Sequence, residues 1–286
     1  MASVSEYKEY FKMSHEPFTS GIDADFLYKS AGTAAMLNKL RLAAQSNSFA
    51  VLTGEPGTGK STLLRMFARS LSPEEYLVLY VSMSNATPRW IYSVPLEIMG
   101  IKSHIYVNDA RHQFHREIDI QRETYNKKVV MILDEAHLFA ASYRRYDLLE
   151  EIRFLLNGKQ YDSGSPLALI MAGQTELWDL LRKEKCKAII QRIMYVCNTE
   201  PLGKDEIGPY MAAHLRWSGC PEPLFSSEAV EAVAELSEGC PRIINKLCAH
   251  ALNYASLNNE KVVTGDLVRR AGANEVIDII LKQRHG

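Results

Sequence analysis

Short apolar runs alternate with amphipathic stretches along the first two hundred residues. The apolar runs that are typical of strands are residues 49–53, 77–81, 129–133 and 167–172. The stretches with helical spacing of apolar residues are 34–45, 59–71, 89–100 and 108–124. Strands separated by helices predict an α/β fold with a parallel sheet flanked by helices, in which the runs at 129 and 167 form central strands.

From about residue 204 the strand signals fade and helical spacing dominates. The predicted helices there are residues 206–217, 227–237, 241–257 and 264–271. We therefore expect an N-terminal aromatic segment with a first helix packing on the core (1–47), an α/β core (48–203), a small C-terminal helical lid domain (204–273) and a tail (274–286). The apolar tail is either a partner-docking segment or an ordinary terminal helix on its own domain.

Composition narrows the class of protein. The 286 residues are 47% hydrophobic, and the net charge of −1 gives no overall attraction to nucleic acid or anionic lipid, so any DNA contact must come from local patches. No apolar stretch approaches the length of a membrane span, and the N-terminus lacks a secretory signal, so we expect a cytoplasmic location. Five cysteines without a Cys-x-x-Cys pair suggest neither disulfides nor zinc.

A glycine-rich loop between the first strand and the next helix carries the clearest chemistry. The loop reads Gly54, Glu55, Pro56, Gly57, Thr58, Gly59, Lys60, Ser61, Thr62. This is the P-loop pattern in its expected context, so backbone N–H groups and the helix N-terminus would surround phosphate oxygens. We expect ATP and Mg²⁺ as cofactors, with Lys60 at the β and γ phosphates and Ser61 on Mg²⁺.

Two acids follow the apolar run at 129–133. Asp134 would hold Mg²⁺, through water or with Ser61, and Glu135 would polarise the attacking water, as in the Walker B element. Hydrolysis is the expected activity. A nucleotide-gated switch with negligible turnover is the alternative.

The motifs together resemble AAA+ ATPases, and within them the ExeA-type group. The features that carry the resemblance are the aromatic opening (Tyr10-Phe11, Pro17-Phe18, Phe26-Leu27-Tyr28), the P-loop, the acid pair, Gly173-Gln174, Gln191-Arg192 and Pro241-Arg242. That group includes secretion ATPases and transposition regulators related to TnsC and MuB. The secretion members continue into a membrane span and a cell-wall-binding region, whereas this sequence stops at residue 286, which favours transposition.

The resemblance implies further site residues. Gln174 would be a sensor of the γ-phosphate, although it could also be a capping amide. Arg192 would be an arginine finger reaching a neighbouring subunit's ATP, with Arg182 as a competitor and a plain surface arginine as the alternative. Arg242 would approach the phosphates from the lid. Shared ATP implies a homo-oligomer, a ring or filament of about six or seven subunits per turn.

The resemblance to TnsC-like proteins also implies contacts with double-stranded DNA. The segments concerned are residues 84–89 and 102–111, and the candidate DNA-binding residues are Thr87, Arg89, Lys102, Asn108 and Arg111. They suit sequence-independent phosphate contacts, yet ordinary solvated loops look the same. A basic run at 182–187 is a second candidate for DNA or a subunit contact.

These observations predict a transposition ATPase. ATP would drive assembly on target DNA, the assembly would present that DNA to a transposase, with or without a targeting adaptor, and hydrolysis would disassemble it. The main alternative is a secretion-type or signalling ATPase that acts on protein partners without DNA.

Overall fold

The computed structural model describes residues 6–83, 87–141, 145–157, 164–220 and 223–273. They divide into two compact units, a sheet unit (31–56 and 60–199) and a helical unit (6–30, 57–59 and 200–273). Two predicted features, the loop positions 84–86 and the tail at 274–286, lie outside the described residues.

The sheet unit contains five parallel strands in the order β2-β3-β4-β1-β5. The strands are β1 Phe49–Gly54, β2 Tyr76–Ser82, β3 Lys128–Asp134, β4 Ala168–Ala172 and β5 Ile193–Thr199. The α/β prediction and the central position of β3 and β4 are confirmed. Both strands are buried on both faces, which is why their sequences read as continuous apolar runs.

The described residues form twelve α-helices, which are divided between the two units. They are α1 Glu6–Tyr10, α2 Ala31–Gln45, α3 Lys60–Arg69, α4 Trp90–Ile98, α5 Val107–Glu123, α6 Arg145–Leu155, α7 Glu176–Leu181, α8 Lys187–Ile190, α9 Lys204–Trp217, α10 Ser227–Ser237, α11 Pro241–Leu257 and α12 Gly265–Gly272. Short 3₁₀ helices span Ala24–Phe26, Ala136–Ala141 and Glu184–Cys186. Within the described residues, no helix combines the length and the apolar character needed to cross a bilayer.

Strand β5 was not predicted from the sequence. It pairs in parallel with β1 at the edge of the sheet, from Phe49 opposite Ile193 to Gly54 opposite Thr199. Met194 and Val196 are 66% and 46% exposed. An edge strand with one open face lacks the continuous apolar run of β3, so the pattern that identified the central strands does not mark it.

The helical unit has its own core, to which the N-terminal segment contributes. Tyr7, Met13 and Phe18 are buried together with side chains of α9, α10, α11 and α12. The Phe18 ring stacks on His214 of α9 with centroids 5.1 Å apart. The aromatic segment before residue 31 therefore packs on these helices, whereas α2 belongs to the sheet unit. The domain bounds expected from the sequence remain a prediction.

The parallel topology sets the place of the polar residues. The register pairs Ser82 with Asp134 and Leu52 with Ala172, so β1, β2, β3 and β4 end side by side. Carboxyl ends of parallel strands are where α/β sheets bind ligands. The P-loop begins at the last residue of β1, the acid pair begins at the last residue of β3, and Gln174 lies two residues after β4.

Candidate active site

The P-loop turns sharply between β1 and α3. Gly57 and Gly59 adopt φ values of 89° and 98°, a region that glycine enters without steric cost. Helix α3 starts at Lys60, so its first N–H groups point toward the loop. A phosphate-binding N–H cradle at a helix N-terminus is the arrangement that the motif requires.

The Lys60 ammonium lies inside this loop. Its Nζ donates to the carbonyl oxygens of Gly54 at 2.6 Å and Glu55 at 2.9 Å, and the residue is only 8% exposed. A buried ammonium held by carbonyl oxygens of the loop places a positive charge beside the cradle. The loop therefore has the charge and the donors that a nucleotide polyphosphate needs.

Asp134 collects three donors at the end of β3. Ser61 Oγ lies 3.3 Å from Asp134 Oδ2, the Tyr80 hydroxyl donates to the same oxygen, and the Glu135 N–H donates to Oδ1 at 2.8 Å. Hydroxyl and carboxylate oxygens are ligands that Mg²⁺ prefers, so the pair that the sequence predicted fits this ion. Tyr80 lies on the neighbouring strand β2 and was not predicted from the sequence as a site residue.

Tyr80 is held as a donor by its surroundings. Burial, followed by the hydrogen bond to Asp134 and the charges of Asp134 and Glu135, raises the pKa of Tyr80 well above its usual range. Its hydroxyl therefore keeps its proton and can fix the orientation of the Asp134 carboxylate.

Glu135 occupies a left-handed backbone conformation with φ 59°, which ends the strand and starts the 3₁₀ helix at Ala136. Non-glycine residues adopt this conformation rarely, and it is frequent at functional sites. The Glu135 side chain is 43% exposed, and its Oε2 lies 3.5 Å from Nδ1 of His137. The carboxylate is accessible to water, as an activating group has to be.

Gln174, which follows β4, contacts the same histidine. Gln174 Nε2 and His137 Nε2 are 2.9 Å apart. Gly173 makes this approach possible, because a Cβ at that position would lie 2.9 Å from the His137 backbone nitrogen. His137 was not predicted as a site residue, although its position two residues after Glu135 was a usable signal.

A second set of contacts ties the P-loop strand to the segment after β4. Trp178 Nε1 donates to Thr53 Oγ1 at 3.0 Å, and Thr175 Oγ1 donates to Glu55 Oε1 at 3.2 Å. Thr53 is 1% exposed, so its hydroxyl needs such a partner. The contacts fix Gln174 beside the loop through its neighbours.

Two of the three candidate arginines belong to the sheet unit and the third to the helical unit. Arg182 and Arg192 are exposed, and Arg192 Nη1 lies 3.4 Å from the Arg153 carbonyl oxygen. Within the helical unit, which includes residues 57–59, the Arg242 N–H donates to the Gly57 carbonyl oxygen at 3.3 Å. The roles of all three remain predictions.

The candidate DNA-binding residues differ in their exposure to solvent. Thr87, Lys102 and Asn108 are exposed, and Arg89 is partly buried with its Nε donating to the His104 carbonyl oxygen at 2.9 Å. The same loop exposes two large apolar side chains, Ile105 at 80% and Tyr106 at 74%.

Arg111 is different, and its expected role at DNA is not supported by its environment. Its guanidinium binds Glu151 through Nε at 3.0 Å and Nη2 at 2.8 Å, and it lies 4.1 Å from the Phe154 ring centroid. Tyr92 donates to the same carboxylate at 2.6 Å. Because Glu151 is buried, Arg111 is required to balance its charge, and it belongs to a structural ion pair joining α5 and α6.

The fold and the site together define a P-loop nucleotide-binding protein of the AAA+ type. The chain belongs to the AAA domain family, whose model matches residues 27–181, more than half of the sequence. The predicted AAA+ fold is therefore confirmed.

A curated relative extends the likeness beyond that domain. General secretion pathway protein A of Aeromonas hydrophila is 30% identical over 268 residues, which cover 91% of this chain and 47% of the relative. The chain thus spans about half the length of this relative. The likeness supports the ExeA-type resemblance.

Solved structures of the same fold include proteins with nucleotide or DNA. The Aeropyrum pernix ORC2 protein in its ADPNP-ADP complexes gives a TM-score of 0.71 at 15% identity, covering 90% of this chain and 71% of that one. Drosophila ORC bound to DNA gives 0.69 at 18% identity, covering 95% and 66%. Aeropyrum pernix ORC1 in complex with DNA gives 0.66 at 17% identity, covering 95% and 69%. At these identities the likeness concerns the fold.

Proposed function

We propose that this chain binds ATP with Mg²⁺ and hydrolyses it. The observation that carries the proposal is the convergence of Lys60, Ser61, Asp134 and Glu135 at the ends of β1 and β3. Lys60 binds the β and γ phosphates, Ser61 and Asp134 hold the metal, and Glu135 orients and deprotonates the attacking water. When bound, Mg²⁺ neutralises charge that develops on the phosphate oxygens.

The proposal extends to sensing and assembly. Gln174 contacts the γ-phosphate, Arg192 or Arg182 of a neighbouring subunit completes the site, and Arg242 contributes from the helical unit. Arginine suits the role in a neighbouring subunit's site because its charge is permanent and its N–H donors are forked. The active form is then a homo-oligomer, a ring or a filament, in which ATP stabilises subunit contacts.

We propose double-stranded DNA as the surface on which the oligomer assembles, with a transposase as the protein that it regulates. The segment 87–108 supports DNA because it exposes Thr87, Lys102 and Asn108, whose polar and basic side chains can reach phosphates. Fold relatives named as bound to DNA add support by analogy. Contacts of this composition reach phosphates and carry no base sequence information.

A second candidate function has its own support. The secretion-pathway relative favours an ATPase that acts on protein partners without DNA. The exposed Ile105 and Tyr106 suit a protein contact as well as a nucleic-acid contact. The two functions differ in whether duplex DNA is needed for assembly.

The deciding experiment combines electron microscopy with DNA-binding measurements. Purified protein is imaged with a non-hydrolysable ATP analogue, with and without a duplex of arbitrary sequence, and binding is measured over a series of salt concentrations. The DNA proposal predicts rings or filaments that require both ligands and an affinity that falls steeply with salt. Particles indifferent to DNA would favour the protein-partner function.

A charge-reversal pair locates the DNA surface. Lys102→Glu should weaken DNA binding about 10-fold because it removes one phosphate contact. The slope of the logarithm of the binding constant against the logarithm of the salt concentration should fall by about one. Lys261→Glu makes the same change at an exposed position of the helical unit and serves as the matched control. Equal losses in both variants would argue against a specific DNA-binding surface on the segment 87–108.

A further inference from the structure

We propose that His137 is a positioning residue that couples Gln174 to Glu135 for hydrolysis. The inference rests on the proposed function, since it requires Glu135 to act on the attacking water. It begins from two contacts of one imidazole ring, Nε2 with Gln174 Nε2 at 2.9 Å and Nδ1 with Glu135 Oε2 at 3.5 Å.

The direction of these contacts follows from donor chemistry. An amide nitrogen only donates, so with Gln174 oriented as it is, the His137 Nε2 accepts. In this tautomer Nδ1 carries a proton, and Nδ1 faces the Glu135 carboxylate at 3.5 Å without forming a hydrogen bond. Gln174, His137 and Glu135 therefore form a line of polar contacts, in which Gln174 and His137 share a hydrogen bond and His137 and Glu135 make a longer charge contact.

Local packing holds the ring in this place. The His137 side chain is 11% exposed, and its backbone nitrogen lies so close to Gly173 that a Cβ there would be 2.9 Å away. The ring therefore lies between the end of β3 and the end of β4. Movement of the Gln174 amide toward a γ-phosphate would change the partner of Nε2, and through Nδ1 it would change how firmly Glu135 is held.

These contacts give His137 a specific role in positioning Glu135. Glu135 is on a backbone turn with φ 59° and has a 43% exposed side chain, so without a partner its carboxylate would sample several orientations. His137 restricts that sampling and links it to the state of Gln174. Misplacing a catalytic group by about 1 Å can cost about 100-fold in rate, so a positioning role has a measurable effect.

Kinetics separate positioning from binding. His137→Ala should lower single-turnover hydrolysis by about 10-fold to 100-fold while the Kd for ATP stays within about twofold of wild type. His137→Gln, whose side chain can still accept and donate hydrogen bonds, should hydrolyse ATP at least about fivefold faster than His137→Ala. The control is His112→Ala, an exposed histidine of α5, which should behave as wild type. Hydrolysis by His137→Ala within twofold of wild type, or a parallel loss of ATP binding, would overturn the proposal.

A double-mutant cycle tests the coupling itself. If the two residues act on Glu135 through the same contacts, the double variant Gln174→Ala/His137→Ala should hydrolyse ATP no more slowly than the slower single variant, within about twofold. Independent effects that multiply in the double variant would contradict the coupling.

A spectroscopic readout is independent of turnover. In protein labelled with ¹⁵N-histidine, the signal lost in His137→Gln should show the Nδ1–H tautomer at neutral pH, and Gln174→Ala should shift it toward Nε2–H. An Nε2–H tautomer in the wild-type protein would overturn the proposed contacts of His137 with Gln174 and Glu135. Failure of the proposed function would appear differently, as wild-type hydrolysis no faster than that of Glu135→Gln.

Discussion

Ser61 Oγ and Asp134 Oδ2 are 3.3 Å apart, although the two residues are separated by 73 positions in the sequence. The contact exists because β1 and β3 are parallel and end at the same edge of the sheet, with α3 beginning directly after the P-loop. This pair joins the phosphate-binding loop to the acidic strand. It defines where the metal of the proposed reaction would be held.

Tyr80 orients one member of this pair, so its removal should weaken metal binding. Tyr80→Phe deletes the donor to Asp134 and keeps the ring, and we expect the Mg²⁺ concentration for half-maximal hydrolysis to rise about 10-fold, as is typical when a partner of a metal ligand is lost. A magnesium titration of the hydrolysis rate measures this. Tyr125→Phe, at a 60% exposed tyrosine, is the control. An unchanged titration would show that Asp134 does not depend on Tyr80.

The buried carboxylate of Glu151 should matter for stability and not for DNA. Glu151→Gln leaves Arg111 without its charge partner, and we expect the free energy of unfolding to fall by about 2 to 3 kcal/mol in urea titrations. The neighbouring change Glu150→Gln affects a surface pair with Arg153 and should cost less than about 1 kcal/mol. Equal effects would mean that the Arg111–Glu151 pair is no more important than a surface pair.

The helical unit should lose stability in acid through His214. Burial lowers the pKa of His214 to about 4 from 6.5, and its Nδ1 accepts from the Phe18 N–H at 3.1 Å. Below pH 6.5 the unfolded chain binds a proton that the folded chain refuses until about pH 4, so the stability present above pH 6.5 is lost as the pH falls through this window.

The size of this effect can be measured against a non-titrating variant. Because of His214, we expect the free energy of unfolding to fall by about 2 kcal/mol between pH 7 and pH 5. His214→Asn keeps an acceptor but does not titrate, so its urea unfolding should change less over the same range. Parallel losses in both proteins would assign the acid sensitivity to other groups.

The sequence predicted four of the five strands and most of the longer helices because their patterns are local. The run 129–133 could only be a strand buried on both faces, and α10 and α11 match their predicted bounds. The P-loop and the acid pair were also local, since each is read from consecutive residues. Their meeting followed from the parallel topology.

What the sequence did not reveal depends on contacts between distant residues. Tyr80 looked like one more apolar position of β2, and its bond to Asp134 depends on strand pairing. Arg111 looked like a free basic residue, because nothing local indicates that Glu151 of another helix is buried against it. The aromatic segment gave no sign of which unit it would join.

The central claim is that this site hydrolyses ATP through Glu135, and a single-turnover measurement tests it most directly. Wild-type protein and Glu135→Gln are mixed with ATP and Mg²⁺, and both the bound nucleotide and the released phosphate are followed. We predict equal ATP affinity and a rate at least about 100-fold lower in the variant, because only the group acting on water is lost. Equal rates in the two proteins, whether measurable or absent, would contradict the claim.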